Sequence, residues 1–364
     1  MNQNSQIALL DKMKMWFKFV GLLDIDQAEQ YRSSIRSKLQ NEPLPEAFES
    51  IYSLVEFRHQ LVIGTLRNHP IRQKEYLVDA VGEMFFNDFH KYLFFSNQGI
   101  IHFNNNNYMT ALDCYREAET ALIDLDSIEQ ANFYYRFGQI YYRLHQNIAA
   151  FSYFESAAFI YELEPPLRYK LANCQNYIAA IYSELSQIED AERMFLKAME
   201  TSKGITNTTG IVKRTYGLHL MRYKHYHHAK QVIISSLDDM SNNTTLQIKS
   251  NFNLAVIHIR LGEIELGLTK LSALKSSLNR FHLVEQQAKL IILEGLFHKM
   301  GVCYETIDQG IDMMVERELY FEAHEACESV SEILESQFNQ TSKALVYLRQ
   351  SMEFARKLNH IGGS

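Results

Sequence analysis

Three segments between Tyr92 and Ala198 carry one pattern: Gly99, His102, Ala111, Tyr115, Ala118; Gly138, Tyr141, Ala150, Phe154, Ala157; and Ala179, Tyr182, Ala191, Phe195, Ala198. In each set the later residues follow the first by +3, +12, +16 and +19. A small residue with an aromatic or His three positions on places both on one face of a helix. The gap to the next small residue leaves room for a turn, which Asn104 to Asn107 and His145-Gln146-Asn147 supply. The run Ala-x-x-x-aromatic-x-x-Ala then forms one face of a second helix. Small residues let the two helices approach closely, and the ring fills the space beside them.

Self-similarity at a fixed period marks a stacked repeat, and this one has the tetratricopeptide pattern at a period of about 40 rather than about 34. The Ala slot recurs at Ala229 and, as glycine, at Gly267; Gly295 and His298 start another unit, and residues 322 to 357 form a last helical pair. Before the array, residues 7 to 20, 26 to 39 and 46 to 66 read as three helices without the repeat spacing, broken at Asn41 to Pro45 and ended by Asn68-His69-Pro70. The predicted fold is all-α: an N-terminal three-helix bundle (1–70), a linker helix region (71–90) and a tetratricopeptide-repeat superhelix (91–364).

Composition limits the function. The 364 residues carry a formal net charge of -7, so no basic field draws nucleic acid. Cys114, Cys174, Cys303 and Cys327 form no C-x-x-C pair, which suits buried thiols in a reducing cytosol. The apolar stretch Ile7 to Leu23 is interrupted by Asp11, Lys12, Lys14 and Lys18, so it reads as neither signal peptide nor membrane span. A cytoplasmic protein without membrane or nucleic-acid partners is expected. There is no Gly-rich phosphate loop, G-x-S-x-G or H-E-x-x-H. His225, His227 and His228 read as solvated turn residues, so no metal site is expected.

In a stacked array the first helix of each repeat lines the concave side. With the small residue as slot 8, slots 2, 5, 9, 12 and 13 point inward. They place Asn132, Gln139, Tyr142, Arg143, Asn173, Asn176, Glu184, Arg214, Arg222 and Arg260 along a groove. Asn and Gln both donate and accept, as an extended peptide backbone requires. Arg suits a carboxylate, such as a free C-terminus. Glu184 suits a cation. A short extended peptide is the expected ligand.

Laid out in this way, the chain resembles the Rap family of spore-forming bacteria. The resemblance rests on Ile51-Tyr-Ser-Leu-Val-Glu-Phe-Arg-His59, like that family's YYSLMEFRH, with support from the stretches at 108–119, 128–135 and 292–297 and from Trp16-Phe17. It implies a quorum-sensing regulator of sporulation or competence that binds a response regulator and is switched off by a Phr-type peptide in the repeat groove. The target surface is then expected near Glu46, Glu49 and Glu56. The alternative is a response-regulator aspartyl-phosphate phosphatase. Phosphatase members carry Gln thirteen residues before the His of that motif, where this chain has Glu46. A carboxylate there brings negative charge to an anionic phosphoryl group. The expected acid of the third repeat is present as Glu184, but Gly217 and Leu220 stand where the family has asparagines. No cofactor is expected in the chain itself; any magnesium would be bound by the partner regulator. Related peptide sensors that bind DNA begin with a helix-turn-helix, which the first 70 residues lack.

Overall fold

The computed structural model describes residues 3–39, 45–66, 85–122, 125–240 and 243–362. Seventeen α-helices and one 3₁₀ turn, with no strand among the described residues, make the fold all-α. They are α1 (Gln3–Leu22), α2 (Ile25–Leu39), α3 (Glu46–Leu66), α4 (Asp88–Asn104), α5 (Tyr108–Glu119), α6 (Ser127–Arg143), α7 (Asn147–Glu162), α8 (Arg168–Glu184) and α9 (Ile188–Ser202). The series continues with α10 (Thr206–Arg222), α11 (Tyr226–Asp238), α12 (Thr244–Arg260), α13 (Ile264–Arg280), α14 (Val284–Leu296), α15 (Tyr304–Val315), α16 (Tyr320–Ser336) and α17 (Thr341–Gly362). The breaks expected at Asn41 to Leu44 and Asn68 to Pro70, and most of the expected linker (71–84), lie outside the described residues. The chain divides into two compact units, residues 1–177 and 178–364.

The repeat slots are packing positions. Ala111, Ala118, Ala150, Ala157, Ala191 and Ala198 are wholly buried. A Cβ on Gly99 would come within 2.3 Å of the Tyr115 ring, and one on Gly138 within 3.0 Å of Phe154. These glycines are what bring α4 onto α5 and α6 onto α7.

Each early hairpin turns in the same way. The residue after the C-cap of the first helix is left-handed at Asn106, His145, Ser186, Lys224 and Gly262. The next residue's N–H then reaches back five positions: Asn107 to His102, Gln146 to Tyr141, Gln187 to Tyr182, His225 to Leu220 and Glu263 to His258. This Schellman arrangement satisfies carbonyls that a helix end would leave open. The accepting carbonyl is always that of the +3 slot, so slot spacing and turn are locked together. Of the three clustered histidines, only His225 precedes α11; His227 and His228 lie in its first turn.

In residues 1–177 the three N-terminal helices pack around Trp16, whose indole N–H donates to His59 Nδ1 at 2.8 Å. Phe17 meets Phe89 and Tyr92 of α4 edge-on, at centroid distances of 5.7 and 6.4 Å. Asn97 Nδ2 donates to the Leu54 carbonyl at 2.9 Å. Bundle and first hairpins therefore share one core.

Candidate functional site

The sequence-derived candidates fall into three groups. Within residues 1–177, the amides of α6 are committed to neighbours. Asn132 donates to Glu129 and accepts from Tyr161 Oη at 2.8 Å and Lys170 Nζ at 2.6 Å. Gln139 donates to Tyr177 Oη at 3.0 Å and Tyr135 Oη at 3.2 Å, and accepts from Arg136. Tyr142 lies edge-on to Tyr177, and the exposed Arg143 lies over the Tyr108 ring at 5.9 Å. Asn173 is half-buried and Asn176 buried on α8.

Beneath these residues runs a polar network that the repeat arithmetic did not reveal. Arg58, from the quoted motif, reaches Glu129 at 3.2 Å, Asn97 at 2.9 Å and Ser96 at 2.8 Å. Tyr92 Oη donates to Glu129 at 2.5 Å. Glu129 is buried and Arg58 largely enclosed, at 5% and 12% side-chain exposure. Burial pulls the Arg58 pKa down, but the Glu129 charge and the nearby tyrosines outweigh it, so the guanidinium stays firmly charged. Lys170 donates to the Gly21 carbonyl of α1 at 3.1 Å as well as to Asn132. Burial pushes its ammonium down to about 8, against the pull of Glu129. The network thus joins α1, α3, α4, α6, α7 and α8.

Within residues 178–364 two of the predicted cations, Arg222 and Arg260, meet acids. Arg222 Nη2 donates to Glu325 Oε1 at 2.9 Å. Arg260 donates to Glu332 at 3.3 Å and to Ser329 Oγ at 2.6 Å, and Lys224 pairs with the other oxygen of Glu332. The acids all belong to α16, which carries Glu322, Glu325, Glu328, Glu332 and Glu335 at three- and four-residue spacing. That acidic stripe was readable; its partner was not. Arg214 points both Nε and Nη2 at the Asn253 side-chain amide, 3.3 Å away, which accepts from them once its oxygen is turned toward the guanidinium. Glu184, the last residue of α8, is half-buried.

The third group sits on α3. Glu46 and Glu49 are exposed in its first turn. Glu56 is instead held by the Arg32 fork, at 2.7 Å to Nε and 2.5 Å to Nη2, and by Gln60 at 2.8 Å. Burial raises its pKa and these bonds lower it, with a net fall. His59 lies tilted against Trp16 with its Nε2 3.5 Å from Glu29, and burial, helped by the Arg32 charge, lowers its pKa.

Comparison with known proteins bears on the fold that carries these residues. A tetratricopeptide-repeat family model matches residues 171–205, the third repeat. The chain is 24% identical over 367 residues to response regulator aspartate phosphatase I of Bacillus subtilis (strain 168), covering 95% of this chain and 90% of that protein. It is 26% identical over 355 residues to type II methyltransferase M.CeqI of Rhodococcus hoagii, covering 96% of this chain and 68% of that protein. Among solved structures, a Rap protein complexed with competence and sporulation factor matches with a TM-score of 0.84 at 20% identity, over 97% of this chain and 99% of that one. The chain is thus similar to a Rap protein in fold along nearly its whole length. Glu46 opens α3, directly after Pro45, while His59, thirteen residues on, is wholly buried. Among the described residues no helix is long and apolar enough to cross a membrane.

Proposed function

We propose that the chain is a cytoplasmic, peptide-responsive regulator. Its α3 surface, led by Glu46 and Glu49, binds a response regulator. A short signalling peptide held by the first helices of the repeats releases that partner. The observation that carries this reading is the full-length likeness to a Rap fold, joined to a row of guanidiniums at one repeat slot: Arg222 and Arg260 both close the first helix of a hairpin. Guanidiniums in such a row suit carboxylate recognition. The test is co-purification of the full chain with candidate response regulators, with and without pentapeptides. Retention of a regulator that a peptide abolishes is the expected result. No retention of any regulator would sink the reading.

A phosphatase is the second reading, and the exposure of Glu46 favours it, because the side chain is accessible to a docked protein. Loss of label from a phosphorylated response regulator measures it. Water-positioning glutamines orient the attacking water without adding charge. Glu46→Gln is therefore expected to raise the rate by tenfold or more, equivalent to about 1.4 kcal/mol. An unchanged rate removes Glu46 from the catalytic role.

A further inference from the structure

Arg222 and Arg260 are 38 residues apart, one repeat, and each is the last residue of a first helix, α10 and α12. Packed helices lie roughly 8–10 Å apart. Their acidic partners Glu325 and Glu332 are seven residues apart on a single helix, α16. Seven residues are two turns, a rise of about 10 Å. One helix therefore lays two carboxylates across two neighbouring repeats with matched spacing: Glu325 on Arg222, and Glu332 on Arg260 and Lys224. Cations are favoured at helix C-termini, so Arg222 and Arg260 suit their positions apart from any contact with α16.

The pairs differ in how tightly they bind. Arg222 and Glu325 are 39% and 34% exposed, and Lys224 is 66% exposed. Exposed pairs are weak and screened by salt. Only Arg260, 17% exposed and also bonded to Ser329, is well enclosed. The α16 carboxylates are thus a weak occupant of a site with a defined spacing.

We propose that Glu325 and Glu332 stand in for a ligand: Arg222, Lys224 and Arg260 form a two-carboxylate site, and an extended peptide displaces those two side-chain carboxylates from it while α16 stays packed in its core. A strand rises about 3.3 Å per residue, so carboxylates about 10 Å apart lie three residues apart in such a peptide. The ligand class is therefore a peptide whose free carboxyl terminus follows an Asp or Glu by three positions. This inference rests on the peptide-binding reading above and gives it a charge code. Because a ligand must first displace these carboxylates, apparent affinity is the intrinsic affinity multiplied by the fraction of molecules in which they are released.

The test uses immobilised full-length chain and four pools of otherwise randomised pentapeptides. Their second residue is Glu or Gln, and their carboxyl terminus is free or amidated. Wild type is expected to retain most of the pool with Glu and a free terminus. The E325Q/E332Q variant, which keeps side-chain shape, is expected to retain about tenfold more of that pool and no more of the Gln-amide pool, as removal of one or two exposed ion pairs predicts. R222Q/R260Q is expected to lose the preference among pools. Circular dichroism and the melting curve check that both variants fold. Equal retention of the four pools by folded wild type and variants overturns the inference while leaving the peptide-binding reading intact. No retention by any of the three proteins overturns both.

Discussion

The two units solve the problem of charge inside a helical array in opposite ways. In residues 1–177, Arg58, Glu129, Tyr92 and Lys170 are taken out of water and tied to several partners each. In residues 178–364, Arg222, Lys224, Glu325 and Glu332 meet at the surface, largely one to one. A buried pair is costly to break because the survivor is left charged and unsolvated. A surface pair is cheap to break because water takes over. The first arrangement holds a joint; the second suits a contact that must open.

The sharpest way to break this comparison is Glu129→Ala. It strands the Arg58 guanidinium and removes the acceptor of Tyr92, so a loss of about 3–5 kcal/mol is expected in denaturant unfolding. A loss under about 1 kcal/mol would mean that water reaches the network and that the two regions are alike. Glycine packing, by contrast, should not distinguish the units. A Cβ at Gly99 would lie 2.3 Å from Tyr115, and one at Gly217 2.3 Å from Ile233. Gly99→Ala and Gly217→Ala should each cost about 1–3 kcal/mol by overpacking, read from melting curves.

Lys170 tests the burial by pH. Its pKa is pushed down to about 8 in the fold, against about 10.4 for a free lysine. Between those values the unfolded chain binds more protons, so stability rises with pH. Below about pH 8 both states bind the proton and the dependence levels off. The melting temperature of wild type relative to Lys170→Met should therefore climb between about pH 7.5 and about pH 9.5. A constant gap would place the ammonium in water. The smallest effect belongs to the surface pair: a double-mutant cycle on Arg222 and Glu325 should give about 0.2–1 kcal/mol at low salt. At 1 M NaCl, where charges are screened within about 3 Å, it should vanish.

The helices and the close hairpins were legible because they depend on local spacing. Gly99 and Tyr115, or Gly138 and Phe154, are sixteen residues apart and announce themselves by repetition. The same arithmetic placed Arg143, Arg222 and Arg260 at one slot, and each closes a first helix. Their partners could not be read in this way. Arg222 and Glu325 are separated by 103 residues, and Arg58 and Glu129 by 71. Nothing periodic connects them, and Arg58 stood in a motif quoted only for its resemblance. The amides were correctly placed on the first helices, but spacing could not say that Asn132 and Gln139 would bond to Lys170, Tyr161 and Tyr177.

The left-handed residue that ends each early first helix is asparagine, histidine, serine, lysine and only once glycine. The bend is imposed by main-chain bonds that any residue can make, at a strain of about 1 kcal/mol where a Cβ is present. Glycine at His145 or Lys224 would relieve that strain without altering the direction of the chain. Neighbouring hairpins can therefore drift apart in spelling while keeping their pitch, so a family built on this frame can change what it recognises one helix end at a time.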